Sequence, residues 1–186
     1  MKTPTNLDGV FTFTPRRFSD ARGFFCETWS RRGFSALVED VDFVQDNHSL
    51  SIEAGTIRGL HFQAPPHAQD KLVRVVYGAI LDVAVDIRVG SPSFGNWVAA
   101  LISAENGEQL FVPKGFLHGF VTQTPNTEVV YKCSDYYAPD CDRVVRFDDP
   151  DIAINWGIAG EKAVLSQKDA DAPLLAEITS PFRYEG

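Results

Sequence analysis

The feature that most restricts this chain is its rhythm. Short runs rich in β-branched and aromatic residues follow one another with little pause. VFTFT stops at Pro15, and KLVRVVY and AILDVAVDIR divide at Tyr77-Gly78; WVAALIS, QLFVP, FLHGFVTQ and EVVYKCS follow. Turn chemistry such as GSPSFGN, AENGE and TPNT separates them. About eight or more strands at this spacing are expected, arranged as a sandwich or barrel. Helix signals are weak until the C-terminal part, where Ser166-Gln167-Lys168-Asp169 reads as a capping box ahead of APLLAEI. With no linker or repeat, the 186 residues read as one domain over 1–186.

One strand is ambiguous. Within Ile80–Ile87, Leu81, Val83, Val85 and Ile87 share one face, while Ile80, Asp82, Ala84 and Asp86 share the other. Two acids on one face suit either the wall of a polar cavity or a solvated outer surface. The net charge of −8 argues against a duplex-binding surface, which needs clustered cations. It leaves room for a single nucleotide held by a few arginines. Cys26, Cys133 and Cys141 are scattered without CxxC spacing and read as reduced thiols. The first residues lack the apolar core of a signal peptide, and no 18-residue apolar run occurs, so a soluble, cytoplasmic protein is expected.

Two segments carry the half-motifs of cupin jelly rolls: GTIRGLH, from Gly55 to His61, and PKGFLH, from Pro113 to His118. In metal-binding cupins the first motif continues His-x-His and then an acid, closing ligands around an ion. Here Gln63 stands two beyond His61, and His67 and Gln69 stand where an acid would be expected. No metal is therefore expected. Two histidines converging without further ligands suit proton transfer instead, because imidazole titrates near neutral pH. His48 and His67 lack such a frame and read as ordinary structural or surface residues.

At this point the chain resembles the dTDP-4-dehydrorhamnose 3,5-epimerase family. The resemblance is carried by FSDARGFFCETW, FVQDNHSLS, GTIRGLHFQAPPHAQDKLVRVVYGAILDVAVDIRVGSPSFGNW, LFVPKGFLHGF, VVYKCSDYYAP and LSQKD. It implies an all-β, cupin-like double-stranded β-helix (jelly roll) with short peripheral helices near the C-terminus. It also implies a homodimer with N-terminal strand exchange, with RGFFCET reaching the neighbour's pocket, and no metal or cofactor. The substrate implied is dTDP-4-keto-6-deoxy-D-glucose, inverted at C3 and C5 on the way to dTDP-L-rhamnose.

By the same resemblance, His61 is the base that removes the proton alpha to the C4 ketone. Asp169 is its carboxylate partner, although Asp169 also reads as part of the capping box. Tyr131 is the acid on the opposite face, since inversion needs two groups. Lys71 is the cation beside the C4 oxygen, where charge builds as the proton leaves, and His118 assists there. Arg22 and Arg58 offer planar forks to a diphosphate. Glu27, Gln45, Asn47, Asp142 and Lys168 match polar substrate contacts. Tyr137 matches the ring that stacks on thymine, and Phe25 is a second aromatic candidate. The chain departs from the family at Asn155-Trp156-Gly157, where Trp-Pro is frequent, and Asp142 stands where Glu is usual. Cys26 and Cys141 have no chemistry assigned.

Other readings share the scaffold: a 3- or 5-epimerase acting at one carbon, or a 3,4-ketoisomerase. A metal-dependent cupin enzyme using His61 and His118 as ligands, or a non-catalytic sugar-binding cupin, would keep the fold and change the chemistry.

Overall fold

The computed structural model describes residues 1–38 and 41–185. Two antiparallel sheets face each other. The larger contains β1 (Lys2–Pro4), β2 (Phe11–Phe13), β10 (Gln109–Val112), β7 (Lys71–Tyr77), β12 (Thr127–Cys133) and β5 (Gln45–Ser51), in that spatial order. The smaller runs β13 (Asp142–Val144), β6 (Ile57–Gln63), β11 (Phe116–Thr122), β8 (Ala79–Asp86) and β9 (Trp97–Ser103). From β5 onward successive strands alternate between the sheets except at the β8–β9 hairpin, giving the cupin-like jelly roll. A separate hairpin, β3 (Arg17–Asp20) with β4 (Gly23–Cys26), belongs to neither sheet.

The strand breaks follow the turn chemistry. β7 ends and β8 begins at Gly78, whose φ of +81° only glycine adopts without cost. The rhythm located β7 to β12 closely. It did not locate α1 (Arg31–Ser35), a five-residue helix containing Gly33 and capped by the Ser30 side chain. The C-terminal helix is also shorter than APLLAEI suggests. α2 covers Gln167–Ala170 only, and Pro173 separates it from a 3₁₀ turn at Leu175–Glu177, because proline cannot donate the next helical bond.

The acidic strand resolves against a solvated face, since Asp82 and Asp86 are both fully buried. Leu81, Val83, Val85 and Ile87 face outward beneath the C-terminal segment, packing with Phe147, Ile152, Trp156 and Leu175. Between the sheets, Val73, Val75, Ile80, Ile102, Phe120 and Val129 fill part of the interior. Asp86 is neutralised locally by Arg88 at 2.8 Å and by Ser91 and Ser93. Asp82 has a different partner, described below.

The outer packing matters to the site because it carries α2. Four residues cannot hold a helix alone. Here Trp156 Nε1 donates to Phe147 O, and buried Asp149 accepts from the backbone N–H groups of Asp151, Ile152 and Leu175. These bonds anchor the flanking chain to the sheet. Among the described residues, no helix is long and apolar enough to cross a membrane.

Candidate active site

The half-motifs place His61 on β6 and His118 on β11, and the strand register sets the two residues directly opposite each other. That close pairing depends on glycine. A Cβ at Gly59 would meet Gly119 Cα at 2.6 Å and His118 O at 2.7 Å, and its φ is +126°. Alternation turns Phe62 outward toward the C-terminal core and leaves His61 facing inward.

Both histidines line one cavity of about 340 Å³, together with Arg58, Lys71, Tyr131, Lys168 and Asp169. Ser49, Thr56, Ile57, Phe120, Val164, Leu165 and Ser166 complete its wall. Tyr131 and Lys71 come from the inner face of the larger sheet, His61 and His118 from the smaller. The imidazole and the phenol therefore open into the same space. Tyr131 makes no hydrogen bond through its hydroxyl among the described residues. Burial pushes its phenol above the ordinary range, so it holds its proton at neutral pH.

His61 Nε2 lies 2.6 Å from Asp169 Oδ1. A carboxylate only accepts, so it keeps a proton on Nε2 and leaves the lone pair of the neutral ring on Nδ1. Asp169 also serves the cap: its Oδ2 accepts from Ser166 Oγ at 2.9 Å, and its backbone N–H donates to that same hydroxyl at 3.2 Å. Ser166 therefore caps the helix through its hydroxyl, but Asp169 meets that hydroxyl rather than the Ser166 backbone N–H, so the capping box is half-formed while the other carboxylate oxygen serves His61. Burial alone would raise this carboxyl. Bonds from His61, Ser166 and the Gly59 backbone N–H outweigh it, and Asp169 sits below the usual carboxylate range.

His118 is paired as well, its Nε2 lying 2.7 Å from Asp82 Oδ1. Burial, opposed by Asp82, holds His118 below its ordinary pKa. Asp82 Oδ2 is buried with no hydrogen-bond partner among the described residues. Lys71 has no hydrogen bond or ion pair among the described residues. Burial lowers its pKa, while the charges of Asp142 and Asp82 work to keep it protonated. An ammonium without a fixed counterion is suited to meet charge that appears only during reaction.

Arg58 enters the cavity wall with its Nε donating to Ser51 Oγ at 3.1 Å and an Nη to Leu50 O at 3.0 Å. Next to the cavity, Lys168 bonds Asp142, which accepts from the Tyr137 hydroxyl at 3.2 Å. Tyr137 N–H donates to Gln45 Oε1 at 2.9 Å, and Gln45 Nε2 to Asn47 Oδ1 at 3.0 Å. Asn47 donates to Cys133 Sγ at 3.4 Å. These residues form one continuous chain beside the pocket.

Arg22, Phe25 and Glu27 are not brought there by their own chain. Arg22 pairs with Asp20 on the exposed hairpin, Phe25 is 71% exposed, and Glu27 accepts from Ser30. His48 pairs with Glu128 on an outer face, and His67 with Asp135 in a loop. Asp82 and Ser49 were not singled out by the sequence as site residues. The inward set Gln45, Asn47, Ser49 and Ser51 was visible as period-two alternation, whereas the Asp82–His118 contact joins separate strands and leaves no local signal. Among the described residues no three His, Cys, Asp or Glu side chains converge as metal ligands.

The family model described as dTDP-4-dehydrorhamnose 3,5-epimerase matches residues 4–177. A dTDP-4-dehydrorhamnose 3,5-epimerase of Sinorhizobium fredii is 51% identical over 170 residues, covering 91% of this chain and 87% of the relative. The crystal structure of a dTDP-6-deoxy-D-glucose-3,5-epimerase from Legionella pneumophila, in complex with dTDP-4-keto-L-rhamnose, superposes with a TM-score of 0.95 at 42% identity, covering 100% of this chain and 99% of that one. A more distant likeness is ChmJ, a 3'-monoepimerase from Streptomyces bikiniensis, at a TM-score of 0.85 and 35% identity, with 94% and 87% covered. The chain belongs to the dTDP-4-dehydrorhamnose 3,5-epimerase family.

Proposed function

We propose that this chain epimerises dTDP-4-keto-6-deoxy-D-glucose at C3 and C5 to dTDP-4-keto-L-rhamnose, for dTDP-L-rhamnose biosynthesis, by proton transfer within the cavity between the two sheets. The observation that supports this best is the shared cavity. Around one space lie a carboxylate-backed imidazole and, without partners among the described residues, a phenol and a lysine.

Neutral His61 takes the proton on the carbon alpha to the C4 ketone through the lone pair of Nδ1. The C–H electron pair moves into the ring, and negative charge collects on the C4 oxygen. Lys71 meets that charge. His118, neutral and donating to Asp82, presents an acceptor rather than a donor, so the oxyanion falls mainly to the ammonium. Asp82 contributes its buried charge, which favours the protonated lysine. Tyr131 then delivers its proton to the same carbon from the other face, inverting it. The phenolate is reprotonated as His61 releases its proton, and the cycle repeats at the second carbon.

Arg58 takes the diphosphate, Tyr137 the nucleobase, and Lys168, Gln45, Asn47 and Asp142 the polar atoms between. Arg22, Phe25 and Glu27 fit a neighbour's pocket in a homodimer. The hairpin carrying them exposes Phe18, Phe24 and Phe25 together, a costly arrangement for an isolated surface. Residues 1–186 act as one catalytic unit, and the three unpaired cysteines suit the reducing cytoplasm.

Incubation with dTDP-4-keto-6-deoxyglucose in D₂O, with product identification by mass spectrometry, tests the reaction. Two incorporated deuterons support double epimerisation. One deuteron would support the second reading, a single-carbon epimerase, which the likeness to the monoepimerase from Streptomyces bikiniensis favours. No exchange would overturn both.

A further inference from the structure

We propose that Gln63 is a specificity-positioning residue, whose carboxamide fixes the nucleobase end of the site relative to the strand that carries His61. The proposal rests on the reading of Tyr137 as the nucleobase platform. Gln63 is 5% exposed and lies two residues beyond His61 on β6. Its Nε2 donates to Tyr136 O at 3.1 Å and to His67 O at 2.6 Å, and its Oε1 accepts from Ala138 N–H at 2.8 Å. The bonds to Tyr136 and Ala138 bracket Tyr137 on both sides.

The segment from Tyr136 to Ala138 belongs to no strand or helix. Loops of this kind are ordinarily the mobile part of a fold. Here the backbone is held by side chains. No other side chain of similar size replaces Gln63, because two carbonyls and one N–H must be met by a single planar group with both donors and an acceptor. Glutamate would keep the acceptor and turn an oxygen toward both carbonyls. In metal-binding cupins this position carries the second histidine of His-x-His; in this chain it tethers a loop. Two residues of strand span about 7 Å, so β6 sets the spacing between the proton-transferring end and the base-binding end. Loosening the tether weakens capture of the nucleotide more than it slows chemistry on substrate already bound.

The test compares Gln63→Met, which keeps the volume, and Gln63→Glu with wild type. It reads dTDP affinity by calorimetry and turnover of dTDP-4-keto-6-deoxyglucose at steady state. Both variants are expected to raise Kd and KM about tenfold, the scale of losing a few buried hydrogen bonds, with kcat close to wild type. In a Tyr137→Ala background, Gln63→Met should add less than about twofold, because coupled residues are non-additive. Full additivity, or a fall in kcat at unchanged KM, overturns the proposal. If Gln63→Met does not fold, Gln63→Glu decides by the same split. The two readings separate cleanly. If Tyr137→Ala leaves dTDP affinity unchanged, the platform reading fails. If it weakens binding and the Gln63 variants do not, the platform stands and the tether falls.

Discussion

Two histidine–aspartate pairs flank one cavity with nearly equal bond lengths, 2.6 Å for His61–Asp169 and 2.7 Å for His118–Asp82. They differ in what holds them. His118 and Asp82 sit on adjacent strands of one sheet and are almost completely buried. His61 keeps 31% of its side chain exposed, and its aspartate arrives from a four-residue helix on the outer segment. The same chemical pair therefore serves two purposes. A buried pair locked in a sheet, with little of the imidazole open to the cavity, acts as a fixed electrostatic element. A half-open pair can exchange its proton with substrate and recover it.

The comparison breaks most visibly through His61. His61→Asn should lower turnover about 10³-fold, within the range for a general base, while calorimetry finds dTDP affinity close to wild type. Equal losses from His61→Asn and His118→Asn would erase the distinction between the pairs.

Asp82→Asn sharpens the buried side. It keeps an acceptor beside His118 and removes a charge that favours the protonated Lys71, so a loss of about tenfold in kcat is expected, with dTDP affinity unchanged. The pH profile is the informative readout. With less negative charge nearby, the limb assigned to Lys71 should move to lower pH, and an unmoved limb would remove Asp82 from that role.

Stability offers a smaller test. His118 is held below its ordinary 6.5, so the unfolded chain binds that proton more readily. Its contribution is complete above about pH 6.5 and is lost as pH falls below it. Asp169 lies below its ordinary 3.8; its contribution is present above that pH and is lost as pH falls through the folded value. Melting temperature should therefore decline from pH 7 to 5, and His118→Gln should flatten that decline. An identical slope in the variant contradicts the assignment. The smallest effect is expected from the exposed pair. His48→Ala should change stability by no more than about 0.5 kcal/mol and leave turnover untouched.

How far the sequence carried this account depends on whether a signal is local. Strands β7 to β12 follow from alternation and glycine punctuation, and the two glycine-framed motifs located His61 and His118. Asp169 was legible locally only as part of a cap; its partnership with His61 entered through the family resemblance, since the two lie 108 residues apart. Asp82 was legible only as an acid on an ambiguous face, since its partner lies 36 residues away on another strand. The five-residue α1 was missed because Gly33 and its short length erase the helical pattern. The loop contacts of Gln63 were equally hidden, since they join a side chain to backbone groups of distant residues. Lys71, Tyr131 and the substrate contacts entered through family resemblance, as did Arg22, Phe25 and Glu27, which their own chain does not bring to the cavity.

The central claim is that Tyr131 returns the proton from the face opposite His61. Turnover of Tyr131→Phe in D₂O, followed by mass spectrometry and product analysis, measures it directly. The account predicts that deuterium still washes into the substrate through His61 while the inverted product accumulates at least about 10²-fold more slowly. Inversion at the wild-type rate would contradict it.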